Sequence, residues 1–305
     1  MRECVPKGTV YWLVFFSSLY ALPPLASPGI GLGEGEFFCN TTYSLLKLEE
    51  MDRTPMHMRE TENVESFVAS YGLTRDWSFI GVVPFSQKGK SIVLDGKQIH
   101  EKTGGVGDFT LSIGYRPLTV NWIAETLRLL CYAGVTFPTG EYRQKGPLGP
   151  ISRPAQPGTG NYSLPLLTYF TYQTQIVEIN AFLSYISYFK GHGYQFGDEV
   201  LYGFVIAPRL YPFKLPSKGY FSELLLELEL DGQWADYDCM EGNKVGNSGG
   251  NTLIFYPGLR YNHKYFSLAV YYVQPLIQHL NKTETEIPLV LRSGSSFSVN
   301  FAARY

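Results

Sequence analysis

From Phe37 onward the chain divides into twelve segments with strand character, and the connections between them are alternately short and long. The segments span 37–49, 62–73, 76–86, 107–117, 124–137, 162–173, 176–188, 199–211, 220–231, 252–262, 265–278 and 296–305. Short connections fall at Thr74-Arg75, Leu118–Ile123, Thr174-Gln175, Pro212–Gly219 and Asn262–Lys264, and Gly-, Pro- and charge-rich stretches at 50–61, 87–106, 138–161, 189–198, 232–251 and 279–295 lie between them. A soluble sandwich has no reason to keep such a rhythm. A transmembrane barrel does, because it has short periplasmic turns, longer outer loops and an even number of strands. The segments are also longer than the soluble norm of about five or six residues and closer to the roughly 9–11 that a membrane strand needs. The predicted fold class is therefore all-β, a transmembrane antiparallel up-and-down β-barrel of about 12 strands.

Side-chain alternation supports this. Strand side chains point to opposite faces with period two. Phe109, Leu111, Ile113 and Tyr115 oppose Asp108, Thr110, Ser112, Gly114 and Arg116, and Leu224, Leu226, Leu228 and Leu230 oppose Glu223, Glu227 and Glu229. At the C-terminus Phe297, Val299, Phe301, Ala303 and Tyr305 share one face, and Ser296, Ser298, Asn300, Ala302 and Arg304 the other. A final strand that pairs with the first to close a barrel needs this division, apolar toward lipid and polar toward the lumen. The 23 Tyr and 20 Phe residues suit strands and interfacial girdles, and the balance of 25 basic and 27 acidic residues argues against nucleic acid as a partner. Mean hydropathy near zero excludes a bundle of membrane helices.

The first residues have the layout of a secretory signal. Arg2 and Lys7 precede an uncharged, mostly apolar stretch from Val10 to Leu22, followed by Pro23-Pro24 and small residues near Ala26 and Ser27. The expected organisation is a cleaved signal peptide over 1–27 and one barrel domain over 28–305, placing the protein in the outer membrane of a Gram-negative-type cell. Cys39, Cys131 and Cys239 would then remain, too few and too scattered for a disulfide framework or a metal site.

Motifs for chemistry are weak. Gly246-Asn-Ser-Gly-Gly250 fits G-x-S-x-G, but a polar loop precedes the serine and a strand follows it, where a nucleophile elbow needs strand then helix. It reads as a flexible loop, and no catalytic residue is expected. The glycines at Gly29, Gly31, Gly33 and Gly35 follow no strand, so no cofactor is expected from a nucleotide fingerprint. Pro138-Thr-Gly140 reads as a strand exit. The loop after it, Glu141–Gly160, could fold into the mouth or stay mobile outside it.

Several of these stretches resemble one family. Gly104-Gly-Val-Gly-Asp-Phe-Thr-Leu-Ser-Ile-Gly-Tyr-Arg116 is similar to the Gly-x-Gly-Asp strand opening of the meta-pathway phenol-degradation family of outer-membrane transporter-like barrels. Gly134-Val-Thr-Phe-Pro-Thr-Gly-Glu-Tyr142 resembles that family's Pro-Thr-Gly strand exit. Phe196-Gly-Asp198, Tyr256-Pro-Gly-Leu-Arg-Tyr261 and Gln274-Pro275 follow as later landmarks in the same order, over roughly 62–305. The resemblance implies a barrel that passes small, often hydrophobic or aromatic, compounds. Residues 50–61 and 87–103 match nothing in it, so the family's substrate class does not carry over automatically.

Alternation assigns Arg116, Arg128, Glu178, Arg209, Glu223, Arg260 and Arg304 to the lumen near the periplasmic turns, with Glu227 and Glu229 further up. Arg facing lipid would cost about 2–4 kcal/mol at the midplane. Arg209 and Glu223 flank one hairpin and could pair across it. These charges either brace a wet interior or form a mixed-charge ring that narrows the exit. The functions that remain are a channel or transporter for small solutes, a surface barrel with an adhesin or structural role, or a secreted soluble β-protein. Expected partners are outer-membrane lipid, small-molecule solutes and, through the C-terminal strand, the barrel-assembly machinery.

Overall fold

The computed structural model describes residues 32–50, 57–94, 97–147, 149–151, 153–212, 222–245, 248–280, 291–293 and 296–304. The expected signal peptide over 1–27 lies outside the described residues. Twelve strands form the wall: β1 (Phe37–Glu50), β2 (His57–Gly72), β3 (Trp77–Leu94), β4 (Phe109–Asn121), β5 (Glu125–Phe137), β6 (Ser163–Thr174), β7 (Val177–Tyr188), β8 (Glu199–Tyr211), β9 (Glu223–Ala235), β10 (Gly250–Asn262), β11 (Phe266–Leu280) and β12 (Ser296–Arg304). Each pairs antiparallel with its sequence neighbours, and β12 pairs with β1 from Phe38↔Arg304 to Leu45↔Phe297. The sheet is closed, so no strand carries a free edge along the wall.

The pleat sorts the side chains. Asn40, Thr42 and Ser44 on β1 are buried and face inward with Ser298, Asn300 and Ala302 of β12. Between them Tyr43, Phe297, Val299 and Phe301 are exposed on the outside. The outer surface is apolar around the barrel, with Phe79, Leu111, Ile113, Leu166, Leu183, Phe204, Leu228, Leu259, Leu268 and Val270 all exposed. Aromatic side chains gather near both ends of this belt: Tyr71, Trp77, Tyr115, Trp122, Tyr211 and Tyr265 by the short turns, and Tyr162, Tyr185, Tyr202 and Trp234 by the long loops. Such a surface cannot face water around a whole molecule without aggregating, whereas a bilayer with its two interfaces accommodates it. The fold is a transmembrane barrel, not a soluble β-protein.

Several boundaries differ from expectation: β2 starts at His57, inside the expected 50–61 loop, and β9 continues to Ala235, and two further differences are larger. Residues 87–106 are not a loop: β3 continues to Leu94, and a strand over Lys97–Val106 folds back on it from Leu94↔Lys97 to Phe85↔Val106. With β2 this makes the wall taller on one side. The stretch carries little apolar alternation because it extends past the apolar belt, where lipid no longer imposes one. At the opposite end β4 runs on through Leu118 to Asn121, leaving only 122–124 as the turn. Its register slips between Tyr115 and Leu118, at Pro117. A second slip on β10–β11 falls at Pro275, consistent with proline lacking the N–H a ladder needs.

Candidate functional site

The interior holds two kinds of candidate site, a set of ion pairs toward the short-turn end and a set of loop anchors at the long-loop mouth. The ion pairs centre on Arg260 of β10, which is 1% exposed. Its Nη2 donates to Glu178 Oε1 of β7 at 3.1 Å. Its Nε lies 3.0 Å from Glu227 Oε1 of β9, an ionic contact. The Tyr271 hydroxyl of β11 donates to the other Glu227 oxygen. Asn180 holds Glu178 from below with Nδ2 at 2.8 Å and accepts from Thr171 Oγ1 at 2.8 Å. One guanidinium thus ties together strands that are three positions apart around the wall. Gly258 makes room for this: a Cβ there would meet Tyr271 Cδ1 at 2.4 Å.

Arg209 forms the neighbouring pair, its Nε donating to Glu223 Oε2 at 2.7 Å across the β8–β9 hairpin. Its Nη1 donates to the Gln175 carbonyl in the β6–β7 turn. Asn262 Nδ2 supports Glu223 Oε1 at 2.8 Å. A buried carboxylate without its cation is strongly destabilising, so each of these pairs behaves as a unit.

The structure therefore places Glu178, Arg209, Glu223, Glu227, Glu229 and Arg260 on the buried inner face, and it brings Glu178, Glu227 and Arg260 together. Arg116 stands apart, part-buried at the β4 bulge, 3.8 Å from Asp76 of the preceding turn. Arg128 shares the inner face of β5 with the buried Leu130. For Arg304 the backbone is described and pairs with Phe38, while its side chain lies outside the described residues. Among the described residues one cluster of ion pairs lies on β7–β10, and a further buried pair, Lys88 Nζ to Glu62 Oε1 at 3.1 Å, lies on β2–β3, so the charges are not spread evenly as a ring. Sequence reading missed Asn180, Glu199, Asp231, Gln233 and Tyr271, and the odd-numbered parity of Glu223, Glu227 and Glu229 continued through Asp231 and Gln233 was the available signal.

At the mouth, aspartates hold the loops. Asp108, between Lys97–Val106 and β4, accepts from the backbone N–H of Gly140 at 2.8 Å and of Thr159 at 2.7 Å, and from the Thr159 hydroxyl at 2.5 Å. Gly107, Gly140 and Gly158 pack backbone to backbone, since a Cβ on Gly140 would lie 2.7 Å from the Gly107 carbonyl carbon. Asp198 accepts from Tyr185, Ser187 and the Tyr188 N–H. Asp238 accepts from the Tyr194 hydroxyl and from the Gly197 N–H at 2.8 Å. Burial raises the Asp238 pKa above the usual carboxylate value, and these two hydrogen bonds oppose the rise. Around them Tyr194, Phe196 and Val245 form a small apolar core with Tyr188.

Two readings change here. Described parts of 138–161 are anchored to the rim, with Gln144 exchanging hydrogen bonds with the Gly104 backbone at 3.3 and 2.8 Å. Ser248 of the G-x-S-x-G stretch is buried, donates to the Val245 carbonyl at 2.6 Å and accepts from Asp238 N at 2.9 Å, so its hydroxyl is committed to a turn.

The stretches that resembled one family, Gly107-Asp108, Pro138-Thr-Gly140, Phe196-Gly-Asp198 and Tyr256–Tyr261, thus form the anchors and the Arg260 cluster. The sequence profile of that family, described as "Putative MetA-pathway of phenol degradation", matches residues 60–273. The chain belongs to this family. No curated protein matches its sequence. Among solved structures, the COG4313 outer membrane channel from Pseudomonas putida F1 is similar over 92% of this chain and 98% of that one, at 13% identity and a TM-score of 0.67. That likeness concerns the fold. The translocator domain of the autotransporter NalP from Neisseria meningitidis, at 10% identity, coverage of 92% of either chain and a TM-score of 0.43, is too distant to carry an argument.

Proposed function

We propose that this protein is an outer-membrane channel through which small solutes cross. The observation that carries the reading is the inner face: the closed wall is lined by Asn40, Thr42, Ser44, Ser298 and Asn300 on one side and by Glu178, Glu223, Glu227, Arg209 and Arg260 on the other, inside an apolar outer belt. A solute path needs such an interior, since water and small solutes can hydrogen-bond to its amides, hydroxyls and charged groups. In this reading Arg116, Arg128, Glu178, Arg209, Glu223, Glu227, Glu229, Arg260 and Arg304 face the solute path, the short turns are periplasmic, and no residue acts covalently on the solute. The family resemblance supports small, hydrophobic or aromatic compounds as one solute class. The export signal is removed after Ala26 or Ser27, and the C-terminal strand engages the assembly machinery.

Reconstitution into planar bilayers tests this. Stepwise currents that scale with protein added, and liposome uptake of a small labelled solute, are the expected outcome. A properly inserted, heat-modifiable barrel that gives neither leaves the structural or adhesive role in its place.

A further inference from the structure

Toward the long-loop end from the Arg260 cluster, the same wall carries a second polar group that the ion pairs do not use. On β9, Glu229, Asp231 and Gln233 point inward in succession, and Glu199 joins them from β8. Gln233 Nε2 donates to Glu199 Oε2 at 3.0 Å. None of the described inward residues at this level on β8–β10 is Lys or Arg; the neighbours are Leu201, Gly203, Thr252 and Ile254.

Three oxygens here lack a hydrogen-bond partner: Asp231 Oδ1, Gln233 Oε1 and Thr252 Oγ1. Their residues are 9%, 0% and 2% exposed, and Gln233 and Thr252 are direct partners across β9–β10. Other inner-face atoms lack partners too, those of Asn40 and Ser66 among them; this group differs in that Asp231 Oδ1 and Gln233 Oε1 are acceptors on successive inward positions of one strand with no Lys or Arg beside them. Glu229 and Asp231 are successive inward positions on β9, so two carboxyl groups share this part of the wall with no Lys or Arg on the described inward positions of β8–β10 beside them.

The strand register adds an apolar half. Tyr169, Phe182, Gly203 and Asp231 lie in one continuous row across β6, β7, β8 and β9. The Tyr169 and Phe182 rings are 5.9 Å apart, and Tyr132 meets Tyr169 edge-on at 6.1 Å. Gly203 lets the two halves meet, because a Cβ there would be 2.2 Å from both Asp231 Oδ1 and Phe182 Cε1. The carboxylate therefore sits at the edge of an aromatic surface.

We infer that this row is a binding site for an organic cation, a primary ammonium carried on an aromatic or aliphatic body. The ammonium supplies the donors and the positive charge that Asp231, Gln233 and Thr252 lack, and the body lies along Phe182 and Tyr169. The inference deepens the channel reading and rests on it, since it names which solutes the path retains. A neutral phenol offers one donor and no charge, and a carboxylate is repelled by Glu229, Asp231 and Glu199.

The test is calorimetric titration of the purified full barrel in detergent micelles with benzylammonium chloride, benzyl alcohol and sodium benzoate. Benzylammonium is expected to bind saturably and the other two not. Asp231→Asn should weaken binding at least tenfold, and Thr252→Val, which keeps the shape of the side chain, severalfold. No binding of benzylammonium, equal binding by the Thr252→Val barrel, or benzyl alcohol binding as tightly would overturn the site. Because this readout needs no conduction, it separates the two claims. Binding without bilayer current would leave the site standing and sink the channel, and current without binding would do the reverse.

Discussion

The two walls of the interior solve the same problem with different chemistry. Where β12 meets β1 the inward residues are small and uncharged, and they pair locally: Ser44 with Ser298 at 2.8 Å between hydroxyls, and Asn300 Nδ2 with Thr42 Oγ1 at 3.0 Å. Each of these pairs consists of directly opposed residues on neighbouring strands. On β7–β10 the inward residues are long and charged; Arg209–Glu223 and Arg260–Glu227 join neighbouring strands, and Arg260 also reaches Glu178 three strands away. Short side chains fix the register of the seam that closes the barrel, since a one-residue slip would turn every hydroxyl to the lipid. The charged wall depends less on such a cue, because its strands are consecutive in the chain. Its ion pairs instead brace the wall from the inside.

Arg260→Met should show the largest effect. It leaves Glu178 and Glu227 buried without their cation, at a cost of about 3–5 kcal/mol. The expected readout is a marked fall in the urea midpoint of the refolded barrel, or loss of the heat-modifiable band. A variant as stable as the parent would break the contrast between the walls. Asp108→Ala comes next, since it removes the acceptor for Gly140 and Thr159 at roughly 1–3 kcal/mol of local anchoring. Limited proteolysis should then cut within 138–161 while the urea transition of the wall stays in place, and an unchanged digestion pattern would show that the glycine packing alone holds the loop.

Ser298→Ala should cost only about 0.5–1.5 kcal/mol, the worth of one neutral hydrogen bond. A loss as large as that of Arg260→Met would mean that the neutral wall, not the charged one, carries the stability. The smallest effect concerns Asp238. Its pKa is raised in the folded protein, so the fold favours the protonated acid. Docking of the loops that hold Tyr194 and Gly197 should be strongest below the pKa of an unfolded aspartate and weaken as pH rises through the elevated folded value. The protection factor of the Gly197 amide, its exchange rate relative to that of an unstructured amide at the same pH, checks the sign, and a protection factor that rises toward neutral pH would contradict it.

The strands were legible because lipid on one side and polar groups on the other impose a two-residue period, and Leu224–Leu230 against Glu223–Glu229 shows it plainly. The extension over 87–106 was not, because Lys88, Gly89, Lys90 and Ser91 lie beyond the apolar belt, where no lipid face imposes alternation, and the buried Lys88–Glu62 pair forms only once β2 and β3 are in register. Inward charges could be assigned by parity, and the Arg209–Glu223 pair could be anticipated because one hairpin joins the two residues. The Arg260–Glu178 bond could not, since 82 residues and two intervening strands separate the partners and only the closure of the sheet brings them into reach. Asp108 was visible as a motif, but its role depends on where 138–161 returns, which the motif does not encode.

The central claim is that the alternating faces separate lipid from a conducting interior. Cysteines placed one residue apart on β12 test it most directly. In a background with the native cysteines replaced, Ser298→Cys and Val299→Cys barrels are reconstituted in planar bilayers and exposed to a charged, water-soluble methanethiosulfonate. The expected result is a stepwise fall in single-channel current for Ser298→Cys and none for Val299→Cys. Equal modification of both, or the absence of any current to modify, would contradict the account.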